Sequence, residues 1–253
     1  SPIDIDKLIE GTNEILTANR NSLQLFDMLH SMRQFDDLTY VHSVNVALIA
    51  SILGQWLKFS EKDIRILTIS GLLHDIGKIM IPNEILTKPG KLTVAEYNIM
   101  KQHVNFGYEK VKNQNIDIRI KEACLLHHEK CDGTGYPFGL KSDHIPAVAK
   151  IIAIADVYDA MTSARVYRGA LCPFEVIDTM YKDAFTKFEP EYILPFLKNV
   201  ASSYINNDVR LSDGRIGKVV LINENALSLP IVQCEDEFID LSKTRELTVS
   251  AIL

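Results

Sequence analysis

The histidines and aspartates of this chain are the residues whose types and spacing could do chemistry. His74 and Asp75 are neighbours at the end of an apolar stretch, and Gly77 supplies the bend that lets both side chains reach one place. Such an imidazole can bind one metal ion while the carboxylate bridges to a second. Suitable further ligands along the chain are His42, His103, His127, His128 and Asp156. The set predicts a dimetal centre, and two close divalent ions suit the hydrolysis of a phosphoester.

Asp156 is the clearest of these further candidates, because it lies between Ala155 and Val157 in a strongly apolar stretch. A carboxylate buried there is costly unless it is paired or bound to a metal ion, so a structural ion pair is the alternative. A histidine taken alone is more often a satisfied core residue than a ligand, and we keep that interpretation for His30 and His144. The metal centre is therefore predicted from the joint pattern.

The four cysteines are scattered and show no Cys-x-x-Cys spacing. This argues against a structural zinc site, which favours clustered thiolates. It also argues against a disulfide framework, so reduced thiols of a cytoplasmic protein are the preferred interpretation. Imidazole and carboxylate ligands instead suit iron, manganese or zinc, and the ligand types alone do not choose among these metals.

The composition limits the class of protein. With 253 residues, of which 47% are hydrophobic, the chain can form one large core, with or without a small appendage. A net charge of −6 argues against a general binder of DNA or RNA polymers, which must neutralise many phosphates. It leaves room for a small anionic ligand, because metal ions supply local positive charge. No apolar run reaches the ~18 residues of a membrane span and no signal peptide is visible, so we expect no membrane contact.

Apolar residues recur at helical spacing over most of the chain and change to a strand-like spacing near its end. We therefore expect a mainly α-helical fold in three parts. These are an N-terminal helical segment (1–35), a helical catalytic domain (36–205) and a small β-rich C-terminal appendage (206–253). The N-terminal segment could be a dimerisation or signal-relay helix, or it could pack on the domain's own core, and both interpretations stay open.

Each candidate ligand lies on or at the end of a predicted helix, which holds a side chain more firmly than a loop does. Ser60 with Asp63, and Thr93 with Glu96, form capping-box patterns that open two of these helices. The predicted helices cover about 36–57, 60–75, 93 to beyond His103, 117–129, 147–162, 173–184 and 189–204. A glycine-rich turn follows at 132–139. The predicted strands cover 209–211, 216–222, 230–232 and 238–241, with an Asp213-Gly214 turn between the first two.

His74-Asp75 together with Gly135-Tyr136-Pro137 resembles the HD-GYP family, a branch of the HD phosphohydrolases. Longer runs agree with this resemblance, at 127–129, 132–137 and 155–163. The resemblance covers roughly residues 36–200 and extends to the tail at 211–215. It implies that the predicted helices form an HD-type helical bundle.

The resemblance also implies an activity. Family members hydrolyse the bacterial second messenger cyclic di-GMP to linear pGpG and often on to GMP, and some members prefer cyclic GMP-AMP. By similarity, this chain would be a metal-dependent phosphodiesterase with two divalent ions per chain, and we favour iron or manganese. A hydroxide that bridges the two ions would attack the phosphate in line, and the 3′ oxygen would leave.

Residue roles carry over from the family onto the matching positions. One metal ion would be bound by His42, His74, Asp75 and Asp156. The other would be bound by Asp75, His103, His127 and His128. Lys78 would lie beside the scissile phosphate, where it could stabilise charge and protonate the leaving group. Arg165 and Arg168 would clamp phosphate oxygens through their planar guanidinium groups, and Tyr136 would stack on guanine or brace its loop.

Two positions depart from the family's pattern. Leu38 stands where some members carry a glutamate that binds a third metal ion, so we expect two ions here, although Asp37 lies close by. Cys131 stands where relatives often carry an aromatic residue. A wider substrate pocket, sensitivity to oxidation and a neutral replacement are the open interpretations of Cys131.

Other functions compete with the enzyme interpretation. A degenerate member could bind a cyclic dinucleotide or a partner protein without cleaving it, but the presence of every dimetal ligand and of Lys78 speaks against this. A different HD hydrolase could act on nucleotides, but the loop at 135–137 argues against it. A homodimer follows only from the first of the two open interpretations of the N-terminal helices, and the sequence does not fix the oligomeric state.

Overall fold

The computed structural model describes residues 38–163, 171–244 and 246–253. The N-terminal helical segment predicted for 1–35, and with it any homodimer through these helices, lies outside the described residues. His30 lies outside them as well. The division of the chain into three domains stays a prediction.

The described chain is mainly α-helical, with a small β-sheet at its end, which confirms the expected fold class. The α-helices are α1 (Leu38–Trp56), α2 (Glu61–Leu73), α3 (Asn83–Leu86), α4 (Val94–Met100), α5 (His103–Val111), α6 (Ile118–Leu126), α7 (Ala147–Thr162), α8 (Pro173–Asp183) and α9 (Pro190–Ser203). Short 3-10 helices lie at Ile76–Met80 and Ser142–His144. None of the described helices is long and apolar enough to cross a membrane.

Helix α1 forms the centre of the bundle. Five consecutive residues of α1, from 46 to 50, are at most 1% exposed, so the helix is buried on every side and needs no polar face. It packs against α2 and α7, which brings His42 close to the ends of other helices. The contact with α2 is close because Gly71 has no side chain there: a Cβ at Gly71 would lie 2.4 Å from Cα of Ala47.

The helix starts predicted from capping residues are confirmed. The Ser60 hydroxyl accepts the Asp63 amide at 3.2 Å, and Thr93 and Glu96 form a reciprocal capping box. One prediction is wrong in detail, because His103 does not continue the helix that Thr93 opens. That helix ends at Met100, and His103 begins α5. The ring Nδ1 of His103 donates to the Met100 carbonyl at 2.8 Å, so the side chain caps the helix it follows.

The C-terminal sheet is antiparallel, with strand order β4-β3-β2-β1-β5. Its strands are β1 (Asp208–Leu211), β2 (Ile216–Leu221), β3 (Ile231–Cys234), β4 (Glu237–Asp240) and β5 (Val249–Ile252). The sequence predicted the first four strands and missed β5, which pairs with β1 from the distant chain end. Buried residues of the sheet belong to the same hydrophobic core as those of the helices. The sheet therefore extends the helical core and leaves the candidate ligands on the helical side.

Candidate metal centre

The helical bundle brings all seven predicted metal ligands together in two groups. The first ligand group consists of His42, His74 and Asp156. The second ligand group consists of Asp75, His103, His127 and His128. Within each group the ligand atoms lie within 4.8 Å of one another. They come from α1, α5 and α7 and from the ends of α2 and α6, so the centre depends on the packing of the whole bundle.

Asp75 stands between the two ligand groups. Its Oδ2 faces the first group, 3.5 Å from Nε2 of His42 and 3.3 Å from Nε2 of His74. Its Oδ1 faces the second group, 3.3 Å from Nε2 of His103 and 3.9 Å from Nε2 of His127. A carboxylate that offers one oxygen to each group has the arrangement of a bridging ligand.

Two buried atoms of this centre, Nε2 of His74 and Oδ1 of Asp75, have no hydrogen-bond partner among the described residues. Nε2 of His42, in contrast, lies 3.1 Å from Oδ1 of Asp156. Buried polar atoms are nearly always paired, so two unpaired ones in one place need an explanation. Imidazole nitrogens and carboxylate oxygens that point at one another across a few ångströms are suitable ligands for divalent metal ions. The residues present therefore fit the two metal ions that the sequence predicts.

Backbone carbonyls orient three of the imidazoles. Nδ1 of His74 lies 2.7 Å from the Gly71 oxygen, and Nδ1 of His127 lies 2.9 Å from the Ala123 oxygen. His103 makes the equivalent contact with Met100. Because a carbonyl can only accept, each Nδ1 carries the proton and each Nε2 presents a lone pair. This is the tautomer that binds a metal ion through Nε2.

His42 is oriented by a carboxylate instead. Its Nδ1 lies 2.8 Å from Oδ2 of Asp159, whose Oδ1 accepts from Asn45 at 2.9 Å and from the Ser163 hydroxyl at 3.1 Å. Asp159 is almost completely buried. Sequence reasoning gave it no role, although it follows Asp156 by three residues and so shares a face of α7 with it. That spacing was the signal that could have identified Asp159.

Burial and neighbouring charges move the pKa values of the two groups in different directions. Burial lowers the pKa of His42, but hydrogen bonds with Asp156 and Asp159 outweigh it and raise the pKa to about 9. Burial lowers the pKa of His128 to about 4, and it also lowers the pKa values of His103 and His127. The three imidazoles of the second ligand group are therefore neutral at pH 7, whereas His42 is protonated in the metal-free protein.

The two carboxylates of the centre stay ionised. Burial opposes ionisation of Asp75, but the charge of Lys78 and the neighbouring His74 and His42 hold its pKa well below the usual range. Burial likewise opposes ionisation of Asp156, and the hydrogen bond with His42 lowers its pKa. Lys78 donates from Nζ to Oδ2 of Asp75 at 2.5 Å and keeps 24% of its side chain exposed. Lys78 therefore lies at the boundary between the buried ligands and solvent.

The glycine-rich loop covers one side of the second ligand group. The Tyr136 ring stacks on the His128 ring, with centroids 4.7 Å apart and an interplanar angle of 24°. The buried carboxylate of Glu129 holds this loop by accepting the amides of Phe138 at 2.7 Å and Leu140 at 2.8 Å. Sequence reasoning quoted Glu129 only as part of a motif and did not assign it this role. The structure thus places Tyr136 against a candidate ligand and shows what fixes its loop.

Other predicted residues fall elsewhere. Arg165 and Arg168 lie outside the described residues, and so does Asp37.

Burial raises the pKa of the half-buried Cys131 thiol, which favours its protonated form, and none of the open interpretations of this residue is decided. The interpretation of His144 as a core histidine is wrong. Its side chain is 70% exposed and pairs with Asp143 at 2.9 Å, because it lies in a short 3-10 helix at the surface.

Several known proteins resemble this chain in sequence or in fold. A family model described as HD domain matches residues 10–192. A cyclic di-GMP phosphodiesterase of Pseudomonas aeruginosa is 36% identical over 203 residues, which are 80% of this chain and 49% of that protein. The cyclic di-GMP phosphodiesterase response regulator of Xanthomonas campestris is 36% identical over 197 residues, which are 77% and 52% of the two proteins. A 3′3′-cGAMP-specific phosphodiesterase of Vibrio cholerae is 32% identical over 194 residues, which are 75% and 37%.

The chain spans about half the length, or less, of these relatives. Among solved structures, an HDG"Y"P protein from Bdellovibrio bacteriovorus superposes with a TM-score of 0.61 at 22% sequence identity. The match covers 76% of this chain and 60% of that one. At this level of identity the likeness supports the fold of the bundle.

Proposed function

The chain belongs to the HD domain family, in its HD-GYP branch, and we propose that it is a metal-dependent phosphodiesterase that hydrolyses cyclic di-GMP. The observation that carries this proposal is the position of Asp75. Its two oxygens face two separate groups of buried imidazoles and carboxylates, as a bridge between two metal ions requires. The product we propose is pGpG, with further hydrolysis to GMP as a second step.

We propose that two divalent ions, iron or manganese, bind the two ligand groups. His42, His74, Asp75 and Asp156 would hold one ion. Asp75, His103, His127 and His128 would hold the other. When bound, such ions lower the pKa of a coordinated water and neutralise charge on a phosphate. The protein's own contribution is to present each imidazole in the tautomer that binds metal and to keep both carboxylates ionised.

Lys78 is the residue of this centre best placed to contact the phosphate. Its ammonium group reaches Asp75 from a partly exposed position, so a phosphate arriving from solvent would meet both groups together. Lys78 can neutralise charge on the equatorial oxygens and donate a proton to the leaving oxygen. Tyr136, beside His128, would contact a base or brace the loop. Arg165 and Arg168 stay proposed phosphate contacts from the sequence.

Cyclic GMP-AMP is the alternative substrate. A relative with specificity for 3′3′-cGAMP is 32% identical to this chain, close to the 36% of the cyclic di-GMP phosphodiesterases. A module that binds a cyclic dinucleotide without cleaving it is less well supported. Such a module has no need for a complete set of seven ligand side chains together with Lys78.

The first test is metal analysis of anaerobically purified protein, followed by incubation with cyclic di-GMP or cyclic GMP-AMP and chromatography of the products. We expect two metal ions per chain and a linear or mononucleotide product. Bound metal without product from either substrate, after iron and manganese have both been supplied, would refute the proposed activity.

A variant at Lys78 separates catalysis from metal binding. Lys78→Gln should keep the metal content and lower kcat about 100-fold or more, because a charged donor to the reacting phosphate is lost. Lys91→Gln is the matched control, since Lys91 is exposed on a loop before α4. Normal turnover of the Lys78 variant would remove Lys78 from the mechanism.

A further inference from the structure

Lys101 lies between two tyrosine rings beside the candidate metal centre. Its Nζ is 5.3 Å from the ring centroid of Tyr97 and 6.0 Å from that of Tyr136. The Tyr136 ring in turn stacks on His128 and meets the His103 ring edge-on, with centroids 6.4 Å apart. Lys101 is thus one aromatic ring away from the second ligand group, at the junction of α4 and the glycine-rich loop.

The ammonium group of Lys101 has no carboxylate partner among the described residues. Nearby lysines do have one: Lys88 pairs with Glu96 at 2.7 Å, and Lys112 pairs with Glu109. Lys101 is half-buried, and its ammonium group lies over aromatic rings and forms no ion pair with a carboxylate of the described residues. A cation over aromatic rings is attracted by their faces, but its three N–H donors stay available.

Tyr97 adds an accessible aromatic surface to this site. It is 48% exposed, although a tyrosine ring more often buries much of its surface. Accessible aromatic rings next to a cation are the usual platform for a nucleobase, because each base can stack while a polar edge is read by a charged side chain. The site therefore has the chemistry of a base-binding subsite.

We propose that Lys101, Tyr97 and Tyr136 form a purine subsite that prefers guanine to adenine. The proposal rests on the proposed function, because a cyclic dinucleotide whose one phosphate occupies the metal centre must place its bases outside it. Guanine presents two acceptors, O6 and N7, on one edge, and a lysine is a frequent partner of that pair. Adenine presents a donor amino group in place of O6, which a lysine cannot pair with.

Steady-state kinetics of Lys101→Met with a panel of substrates test the subsite. The panel contains cyclic di-GMP, cyclic GMP-AMP, cyclic di-AMP and bis(p-nitrophenyl) phosphate, which has neither a purine nor a second phosphate. For any cyclic dinucleotide that turns over too slowly, its inhibition constant against bis(p-nitrophenyl) phosphate replaces KM. Lys110→Met is the matched control, because Lys110 is an exposed lysine on the neighbouring helix α5.

We expect Lys101→Met to lower kcat/KM for cyclic di-GMP about tenfold or more, mainly through KM. Its effect on cyclic di-AMP should be less than twofold, so the preference for guanine disappears. Turnover of bis(p-nitrophenyl) phosphate should be unchanged, and the control should match the wild type throughout.

Other outcomes overturn the inference. An equal loss for all three cyclic dinucleotides would mean that Lys101 contacts the second phosphate and does not read a base. A parallel loss for bis(p-nitrophenyl) phosphate would mean that it acts through the metal centre. Unchanged kinetics of Lys101→Met with all substrates would mean that Lys101 contacts Tyr97 at the surface and does not bind substrate. Failure of the proposed function looks different: the wild-type protein would then cleave bis(p-nitrophenyl) phosphate and no cyclic dinucleotide, and the subsite would fall with it.

Discussion

The two ligand groups of the candidate metal centre differ in how one imidazole, that of His42, is oriented. In the second group, His103 and His127 donate to backbone carbonyls. In the first group, His74 also donates to a backbone carbonyl, but His42 donates to the carboxylate of Asp159. A side-chain substitution cannot remove a backbone carbonyl, but it can remove a carboxylate. The first group is therefore the one in which a single substitution can remove the hydrogen-bond partner of a ligand imidazole.

The same difference changes the charge of the ligands in the metal-free protein. Carboxylates on both sides of His42 raise its pKa to about 9 against the effect of burial. His128 has a more distant carboxylate, with Asp156 3.9 Å away, and burial lowers its pKa to about 4. The first ligand group thus has to release the proton of His42 before it binds metal. The imidazoles of the second ligand group can bind metal at neutral pH without releasing a proton. A carboxylate that orients an imidazole thus also favours the protonated form of that imidazole.

The largest effect should come from a change that breaks both groups together. Asp75→Ala removes the carboxylate that faces both, so we expect metal content and turnover to fall below detection. The circular dichroism spectrum should stay helical, because the bundle core does not include this side chain. Asp143→Ala, at an exposed aspartate, is the control. Near-normal activity of the Asp75 variant would refute the bridging assignment.

A change at Gly77 should affect the second group through packing. A Cβ on Gly77 would lie 1.9 Å from the His103 carbonyl oxygen, so Gly77→Ala must push α5 away from Asp75. We expect a loss of about 1–3 kcal/mol in unfolding free energy, together with loss of the metal ion held by the second group. Urea unfolding and metal analysis measure these effects.

Gly107→Ala is the matched control for this contact. Gly107 faces Gly77 across the same interface, but a Cβ there would meet the Gly77 nitrogen at 3.4 Å, an ordinary contact distance. We expect this variant to keep its stability and both metal ions. Equal effects at the two glycines would contradict the packing explanation.

A change at Asp159 should affect the first group alone. In Asp159→Asn one side-chain oxygen becomes an amino group, which cannot accept from both His42 and Asn45. Loss of such a partner typically lowers metal affinity 10–100-fold. Competition with a chelator should therefore show that one metal ion binds more weakly than in the wild type and that the other binds as tightly as before. An equal loss of affinity for both metal ions, or no loss for either, would contradict the difference between the two ligand groups.

The smallest effect is the pH dependence of stability in the metal-free protein. The pKa of His42 is raised in the folded state, so its contribution is complete below pH 6.5 and is lost as the pH rises through about 9. The pKa of His128 is lowered, so the unfolded state gains the proton first and stability falls as the pH drops from 6.5 to about 4. Each slope is at most about 1.4 kcal/mol per pH unit.

Urea unfolding of chelator-treated protein between pH 4 and 9 measures these slopes. His42→Gln should flatten the alkaline side of the profile, and His128→Gln should flatten the acidic side. A profile in which both substitutions affect the same side would contradict the assigned pKa directions.

The sequence identified the seven candidate ligands that the fold brings together, because their residue types are unusual at those positions. His74-Asp75 and the buried position of Asp156 both require an explanation that few side chains can give. Asp159 was not identified, since an aspartate near a helix end resembles a solvated residue until its partner on α1 is known. The residues that hydrogen-bond to the ligands lie on helices that are distant in the sequence. Which helices meet is decided by the packing of the bundle, so these residues could not be identified from local patterns.

The boundaries of the elements show the same limit. Capping residues located the starts of α2 and α4 because they act within one turn of the chain. The break before His103 was not predicted, because the side chain of that residue takes over the Met100 carbonyl. Strand β5 was missed because the strand it pairs with, β1, lies far away in the sequence. Features set by residues close in the sequence could be predicted, and contacts between residues far apart in the sequence could not.

The hydrogen bond between His42 and Asp159 joins residues 117 positions apart. During synthesis from the N-terminus, His42 leaves the ribosome long before α7 does. At typical rates of about 5–20 residues per second, the delay is on the order of ten seconds. All residues of the second ligand group are synthesised before α7, since the last of them, His128, precedes that helix. The first ligand group, which needs Asp156 of α7, is therefore the last to become complete during synthesis.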